Sequence, residues 1–478
     1  MESNQYESKI SAVHAEKTET SGVKTLTGDP KKAIVKLAIP MVIAMSVQTL
    51  YSLVDTYWVS GLGADALAAM GFVFPFFFIS MALSNGLGIG GGAAISRMIG
   101  SRNKAGADNV AVHTIIIMIL LSILFTIPFY IFAPQIFTFV GAGKTTGLAV
   151  AYARAIFLGS IVIFFSNVAN AILRSEGDSK RAMKAMIIGG VLNIVLDPIF
   201  IYTLNMGIAG AAWATVLSIA ISSLMMANWL FFRKDTYVNF NFKDFHFERK
   251  IVKDIVDVAF PASAQQLSMS LSMVFLNFII VLVSNTDGVA VYSTGWRIAT
   301  IAMAPLIGIS TAVISVTGAA IGARDYIKAK VVLSYSTRLG FLIECVAGAL
   351  IFIFATPIAS IFTHSEGGTH ITADLSHFLR VMCLFYPTAA LGFFSSSFFQ
   401  GAGKGMNSLI ATLLRTIVFT PVFAALLAFT FNMGQEGAWW GMVIGNGIGS
   451  LLMYVWAGYF LRAILKTEPL AKVDGVAA

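Results

Sequence analysis

The sequence predicts an all-α integral membrane protein of twelve transmembrane helices in two pseudo-symmetric six-helix lobes. Composition, the spacing of apolar runs and an internal repeat carry that expectation. Of 478 residues, 57% are hydrophobic and 12% charged, with a mean hydropathy of +0.80; soluble domains carry about 25% charged residues. Apolar runs long enough to cross a hydrocarbon core of about 30 Å recur twelve times. They fall at 34–58, 66–96, 109–132, 150–173, 183–204, 209–232, 257–284, 289–320, 331–355, 375–400, 407–431 and 438–462.

The repeat shows in three pairs of segments. Lys36-Leu37-Ala38-Ile39-Pro40 returns as Asp257-Val258-Ala259-Phe260-Pro261, and Ile99-Gly100-Ser101-Arg102-Asn103 as Ile321-Gly322-Ala323-Arg324-Asp325. Asn205-Met206-Gly207 with Trp213 returns as Asn432-Met433-Gly434 with Trp440. Each copy holds an even number of spans, so both enter the membrane in the same sense. A transporter built this way is expected to place its site between or within the two bundles.

Orientation follows from Lys and Arg, whose excess stays cytoplasmic. The loops after even-numbered spans carry Arg97, Arg102, Lys104, Arg174, Lys180, Arg181, Arg233, Lys234, Arg249, Arg324, Lys328 and Lys404, whereas the opposite loops carry Lys144. Both termini are therefore expected in the cytoplasm of a multi-pass cell-membrane protein. The net charge of +8 is a topological signal spread over short loops, and no nucleic-acid partner is expected. The division read here is a cytoplasmic tail (1–32), an N-terminal lobe (33–232), a charged linker (233–256), a C-terminal lobe (257–463) and a second tail (464–478). The polar first thirty residues lack the apolar core of a signal peptide and are expected to be disordered. Cys345 and Cys383 lie inside apolar spans, where a thiol acts as a small hydrophobe.

Two acids interrupt apolar spans. An ionisable group at bilayer depth costs a few kcal/mol, so it needs a partner or a wet cavity. Asp55 shares a face of the first span with Gln48 and Tyr51, and Asp197 lies one turn from Asn193 on the fifth. At 1.5 Å per residue, Asp55 is about 32 Å and Asp197 about 21 Å from the cytoplasmic ends, and Thr215 enters at similar depth. Neighbouring carboxylates in low dielectric cannot both ionise cheaply, so the cluster is expected to take up H⁺, or Na⁺ through oxygen ligands. The repeat is asymmetric here: at offsets of 222 and 226, Asp55 corresponds to Asn277 and Asp197 to Phe423. Pro40, four turns below Asp55, is a candidate bending point, the plain alternative being a proline in the first turns of its helix.

The segments Gly28-Asp29-Pro30-Lys31-Lys32-Ala33-Ile34, Ser46-Val47-Gln48-Thr49-Leu50-Tyr51, Trp58-Val59-Ser60-Gly61-Leu62-Gly63, Ile172-Leu173-Arg174-Ser175-Glu176-Gly177-Asp178 and Leu192-Asn193-Ile194-Val195-Leu196-Asp197-Pro198 resemble the multidrug and toxic compound extrusion family, in particular its prokaryotic DinF-like branch. The resemblance implies a V-shaped pair of lobes that exports organic, often cationic, drug-like compounds against inward H⁺ or Na⁺, without an organic cofactor or enzymatic step. It assigns Asp55, Asn193, Asp197 and Thr215 to the coupling cation, and Gln48, Tyr51, Asn167, Asn170 and Met186 to the drug chamber. A monomer is expected. Two rival readings are a lipid-linked saccharide flippase of the same superfamily, for which only Arg297 and Arg415 supply basic groups, and an intramembrane hydrolase, for which no nucleophile with a base appears in the spans.

Other signals read as structure. Gly86-Leu87-Gly88-Ile89-Gly90-Gly91 matches a dinucleotide-binding pattern but lies inside a span with no preceding strand, so close helix packing explains it. His364, His370 and His377 with Glu366 and Asp374 form an external loop whose spacing fits no usual zinc site. Glu344, Arg297 and Arg415 inside C-lobe spans are read as a buried ion pair or a second ion pathway.

Overall fold

The computed structural model describes residues 20–233, 235–240, 245–284, 286–363 and 369–467. The first lobe contains α1 (Ser21–Thr27), α2 (Pro30–Ser60), α3 (Ala64–Gly100), α4 (Lys104–Ile131), α5 (Ala133–Phe139), α6 (Thr146–Ser175), α7 (Ser179–Pro198) and α8 (Gly207–Ala227). The second contains α9 (Arg249–Val283), α10 (Thr286–Ala302), α11 (Ala304–Gly322), α12 (Tyr326–Ile353), α13 (Ala355–Phe362), α14 (Thr372–Met382), α15 (Phe385–Gly401), α16 (Gly405–Leu413), α17 (Thr420–Ala425) and α18 (Gly434–Thr467). Among the described residues eleven helices, some continued by π- or 3₁₀-helical turns, are long and apolar enough to cross a membrane. The number is twelve when Thr369–Met382 and Phe385–Gly401, bent by 49°, count as one span.

Helix starts at the basic end of the bundle are set by side-chain caps, which satisfy amide groups that the first turn leaves free. Asp29 accepts from the Lys32 amide at 2.8 Å, Asn103 from Gly106 at 2.8 Å, Asp178 from Arg181 at 3.1 Å and Asp325 from Lys328 at 2.9 Å. The repeat recurs in the backbone. Left-handed φ values pair Arg102 with Arg324 (both 56°), Asn205 (51°) with Asn432 (53°), and Gly207 (57°) with Gly434 (58°). The π-helical turns Ile199–Thr203 and Leu426–Thr430 are related by the same spacing as Asn205 and Asn432. With that spacing, Asp197 maps onto Ala424 and not Phe423, a one-residue correction that leaves the second lobe without the acid.

The lobes meet at the basic end. A Cβ on Gly100 would strike the Ala319 carbonyl, and one on Gly322 the Arg97 carbonyl, while Gly90 faces the Ile255 carbonyl at 2.5 Å. Gly86 likewise abuts Ser263 and Ala259, so its run serves helix packing. Arg97 donates to the Gly401 carbonyl at 3.4 Å and Lys328 to the Thr27 carbonyl at 3.1 Å. Among the described residues these inter-lobe approaches lie in the basic halves of the spans, and the V opens at the other end.

Two expectations change. Ser21–Thr27 is not a disordered tail: Thr20 caps it, Val23 and Leu26 are buried, and Gly22 packs against Gly177. The eighth and tenth spans are not continuous, because Pro305 and Pro387 each lack the amide that would bond the carbonyl four residues earlier, and the helices restart at Ala304 and Phe385.

The linker is tied to the first lobe. Glu176, at the end of α6, accepts the amides of Tyr237 at 2.9 Å and Val238 at 3.1 Å, and Arg181 pairs with Asp235. His113 accepts the Glu248 amide at 3.1 Å. Lys234 and residues 241–244 of the linker lie outside the described residues, as do His364 and Glu366; of that external loop, His370 meets Asp287 at 3.2 Å and His377 meets Glu436 at 2.8 Å.

Candidate functional site

Four helices of the first lobe build one polar cluster in an apolar bundle. Asn193 Nδ2 donates to Asp197 Oδ1 at 3.0 Å and to Thr215 Oγ1 at 3.3 Å. Asp197 is fully buried and Asn193 2% exposed. Asp55 lies close enough to Asp197 for the two carboxyls to interact electrostatically. Asp55 Oδ1, Asp197 Oδ2 and Asn193 Oδ1 have no partner among the described residues. Together with Thr215 Oγ1, these atoms are hard oxygen donors suited to H⁺ or a small monovalent cation.

Local backbone chemistry puts the acids there. Pro198 cannot donate to the carbonyl four residues back, and the chain continues as the π-helical turn Ile199–Thr203. That turn aims Tyr202 at the end of α2, where its hydroxyl donates to the Trp58 carbonyl at 2.7 Å. The strut fixes α2 to α7 just beyond Asp55 and Asp197. Lower on the same helices, a Cβ on Gly190 would come within 3.0 Å of the Tyr51 ring. Glycine there lets Tyr51 lean on α7 from a face of α2 that it shares with Gln48 and Asp55.

Met186 continues this face of α7 toward the basic end and is partly buried against the core. The two asparagines of α6 lie elsewhere. Asn167 donates to Ser84 Oγ at 2.8 Å, tying α6 to α3, and Asn170 donates to the Ala182 carbonyl at 3.2 Å while accepting from Arg174. Asn170 is 5% exposed at the basic end, well away from Asp197. Tyr152 of α6, which the sequence reading did not single out, is buried and electrostatically coupled to Asp55 and Asp197. A tyrosine within an apolar span is the only sequence signal it gave.

Pro40 lies in the interior of α2, not in its first turn, and the helix is continuous through it; Pro261 sits similarly inside α9. Among the described residues no group of three or more His, Cys, Asp or Glu is placed to hold a metal ion.

The MatE family model matches the chain twice, at residues 40–199 and 261–426, once per lobe. Multidrug export protein MepA of Staphylococcus saprophyticus subsp. saprophyticus is 25% identical over 455 residues, covering 93% of this chain and 97% of the relative. A MATE crystal structure in complex with MaL6 superposes with a TM-score of 0.92 at 46% identity, covering 94% of this chain and 100% of that one. An outward-facing multidrug resistance MATE family transporter of the MOP superfamily gives 0.91 at 46% identity, covering 94% and 99%. A repeat matched in both halves, a V of two six-helix lobes and full-length likeness to known transporters converge: the chain belongs to the MatE family, the multidrug and toxic compound extrusion transporters.

Proposed function

We propose that the protein is a secondary antiporter of the cell membrane that exports organic, often cationic, compounds in exchange for inward H⁺ or Na⁺. The observation that carries this reading is the buried Asp197–Asn193–Thr215 hydrogen-bond set inside an apolar bundle, with unpartnered oxygens on Asp197, Asn193 and the neighbouring Asp55. The pair takes up a cation from outside, which neutralises it, and releases the cation inside. Gln48, Tyr51 and Met186 line the adjoining chamber, while Asn167 and Asn170 brace its wall. With Lys and Arg on the cytoplasmic side, the V stands open outward, and both termini are cytoplasmic. The export function named for MepA and the multidrug resistance named for a solved relative support the substrate class. The working unit is a monomer.

The experiment is accumulation of a fluorescent lipophilic cation in drug-sensitive cells, with and without ionophores that collapse the H⁺ or the Na⁺ gradient. Low accumulation that rises when one gradient is collapsed is expected, and accumulation equal to that of empty cells contradicts the reading.

A further inference from the structure

Arg415 stands about 15 Å from the basic end along α16 and the turn that continues it, near the middle of a hydrocarbon core of about 30 Å. It lies in the π-helical turn Leu414–Phe419 and is 4% exposed. Among the described residues no carboxylate pairs with it and no acceptor meets its Nε. The buried ion pair expected with Glu344 does not form. A Cβ on Gly340, one turn from Glu344 on α12, would meet Phe394 of α15, whereas one on Gly392 would meet Arg415. Two residues turn a helix by about 200°, so Glu344 and Arg415 lie on opposite sides of α15. Arg297 of α10 is exposed.

A buried carboxyl without a partner becomes neutral by binding a proton. A guanidinium cannot shed its charge in the same way, so a lone buried arginine needs negative charge beside it. The Phe393 ring, 5.4 Å from Arg415 Cζ, offers an attractive face but no net charge. The polar network one turn nearer the basic end is closed on itself. There Gln265 Nε2 donates to Ser408 Oγ at 2.7 Å and Thr412 Oγ1 at 3.1 Å, and Gln400 Nε2 donates to Gln265 Oε1 at 2.6 Å.

A second free donor converges on Arg415. A Cβ on Gly392 would lie 2.5 Å from Arg415 Nη1 and 2.7 Å from Ser450 Oγ. Ser450 of α18 is fully buried, and its hydroxyl has no partner among the described residues. Packing around the pair is close, since a Cβ on Gly449 would lie 2.7 Å from Arg415 Cβ and Cγ. Such a space suits a monatomic anion and not an organic one. One turn farther out on the same faces, Asn446 Nδ2 donates to Thr388 Oγ1 at 3.0 Å, which continues the polar track toward the outer half. In the first lobe, at the spacing of Asn205 and Asn432, the place of Arg415 is taken by Ile188, 38% exposed within the regular helix α7. The arginine and its π-turn, a feature frequent at functional sites, therefore have no counterpart there.

We infer that the second lobe holds a halide site, in which chloride lies between the Arg415 guanidinium and the Ser450 hydroxyl and accepts a hydrogen bond from each. The anion neutralises a charge that titration cannot remove and ties α15, α18 and the turn after α16 together at mid-depth. The inference does not rest on the first-lobe reading, since it involves none of the same residues.

The test uses the full chain in lipid nanodiscs, as the parent and as Arg415→Leu, melted in sodium chloride, sodium bromide and sodium gluconate at equal ionic strength. A ligand that binds the folded state alone raises Tm with its free concentration. The parent is expected to melt a few degrees higher in either halide than in gluconate, with a rise that saturates as halide replaces gluconate. Arg415→Leu should melt at one temperature in all three salts. Equal melting of the parent in halide and gluconate, or the parent's full halide shift in Arg415→Leu, overturns the site. If Arg415→Leu does not fold, crystals of the parent grown in bromide decide: an anomalous peak touching the Arg415 guanidinium and Ser450 Oγ supports the site, and the lack of a peak there overturns it.

Discussion

At the scale of the residue, the proposed coupling site rests on the two acids of the first lobe. Removing one carboxyl deletes a titratable group but also relieves like-charge cost, so Asp55→Asn and Asp197→Asn should fold and reach the membrane. Gradient-driven efflux should fall at least tenfold in each, whereas Asn277→Ala, at the position that answers Asp55 in the second lobe, should stay within about twofold of the parent, because the Asn277 amide oxygen has no hydrogen-bond partner to lose among the described residues. Transport at matched membrane abundance measures this, and equal losses would mean that the lobes share the work. Glu176 offers a pH test outside the membrane. Burial pushes its carboxyl up from 4.5 to about 8, against the lowering effect of the Val238 and Tyr237 amides. Between those values the folded state holds a proton that the unfolded state has released, so stability should fall as pH rises from 4.5 to about 8 and then level off. Glu176→Gln should flatten that slope in melting curves. Asp55, Asp197, Asn193 and Thr215 were legible because polar groups among apolar ones stand out at helical spacing. Tyr152 was not, since an aromatic in a span is ordinary, and the engagement of Asn170 with Ala182 depends on a helix-end geometry that sequence does not display.

At the scale of the element, the spans were readable in sequence because a bilayer sets their length, whereas the Asp and Asn caps at their starts came from the structure. The breaks before Ala304 and Phe385 were hidden: proline inside an apolar run leaves hydropathy unchanged, and Pro40 and Pro261 sit in helices that remain continuous. Pro40 removes one hydrogen bond from α2 well below Asp55, and a change of cation load at the acids is expected to bend the helix there. Spin labels on the outer end of α2 and on a fixed helix of the same lobe should report a distance that changes between low and high pH, and Pro40→Ala should abolish the change. An unchanged distance in the parent protein would eliminate the bend.

At the scale of the molecule, the lobes approach closely through glycines at the basic end, where Gly100 meets Ala319 and Gly322 meets Arg97. A side chain at either glycine has no room in this packing, so Gly322→Leu should disfavour this arrangement and increase spin-label distances across the basic end. The two-lobed design was visible in sequence through the repeat, because the turns that need left-handed residues recur with it; which end of the V is closed was not, since apolar helices pack equally well in either arrangement. The central claim is that the first-lobe acids exchange a cation for the exported compound. Proteoliposomes carrying a pH-sensitive or Na⁺-sensitive dye, loaded with a fluorescent organic cation and given an imposed H⁺ or Na⁺ gradient, measure both fluxes at once. The account predicts cation movement down its gradient in step with uphill movement of the organic cation, and loss of both fluxes in Asp197→Asn. Uphill transport by well-assembled Asp197→Asn at the parent rate, with the cation flux intact, would contradict it.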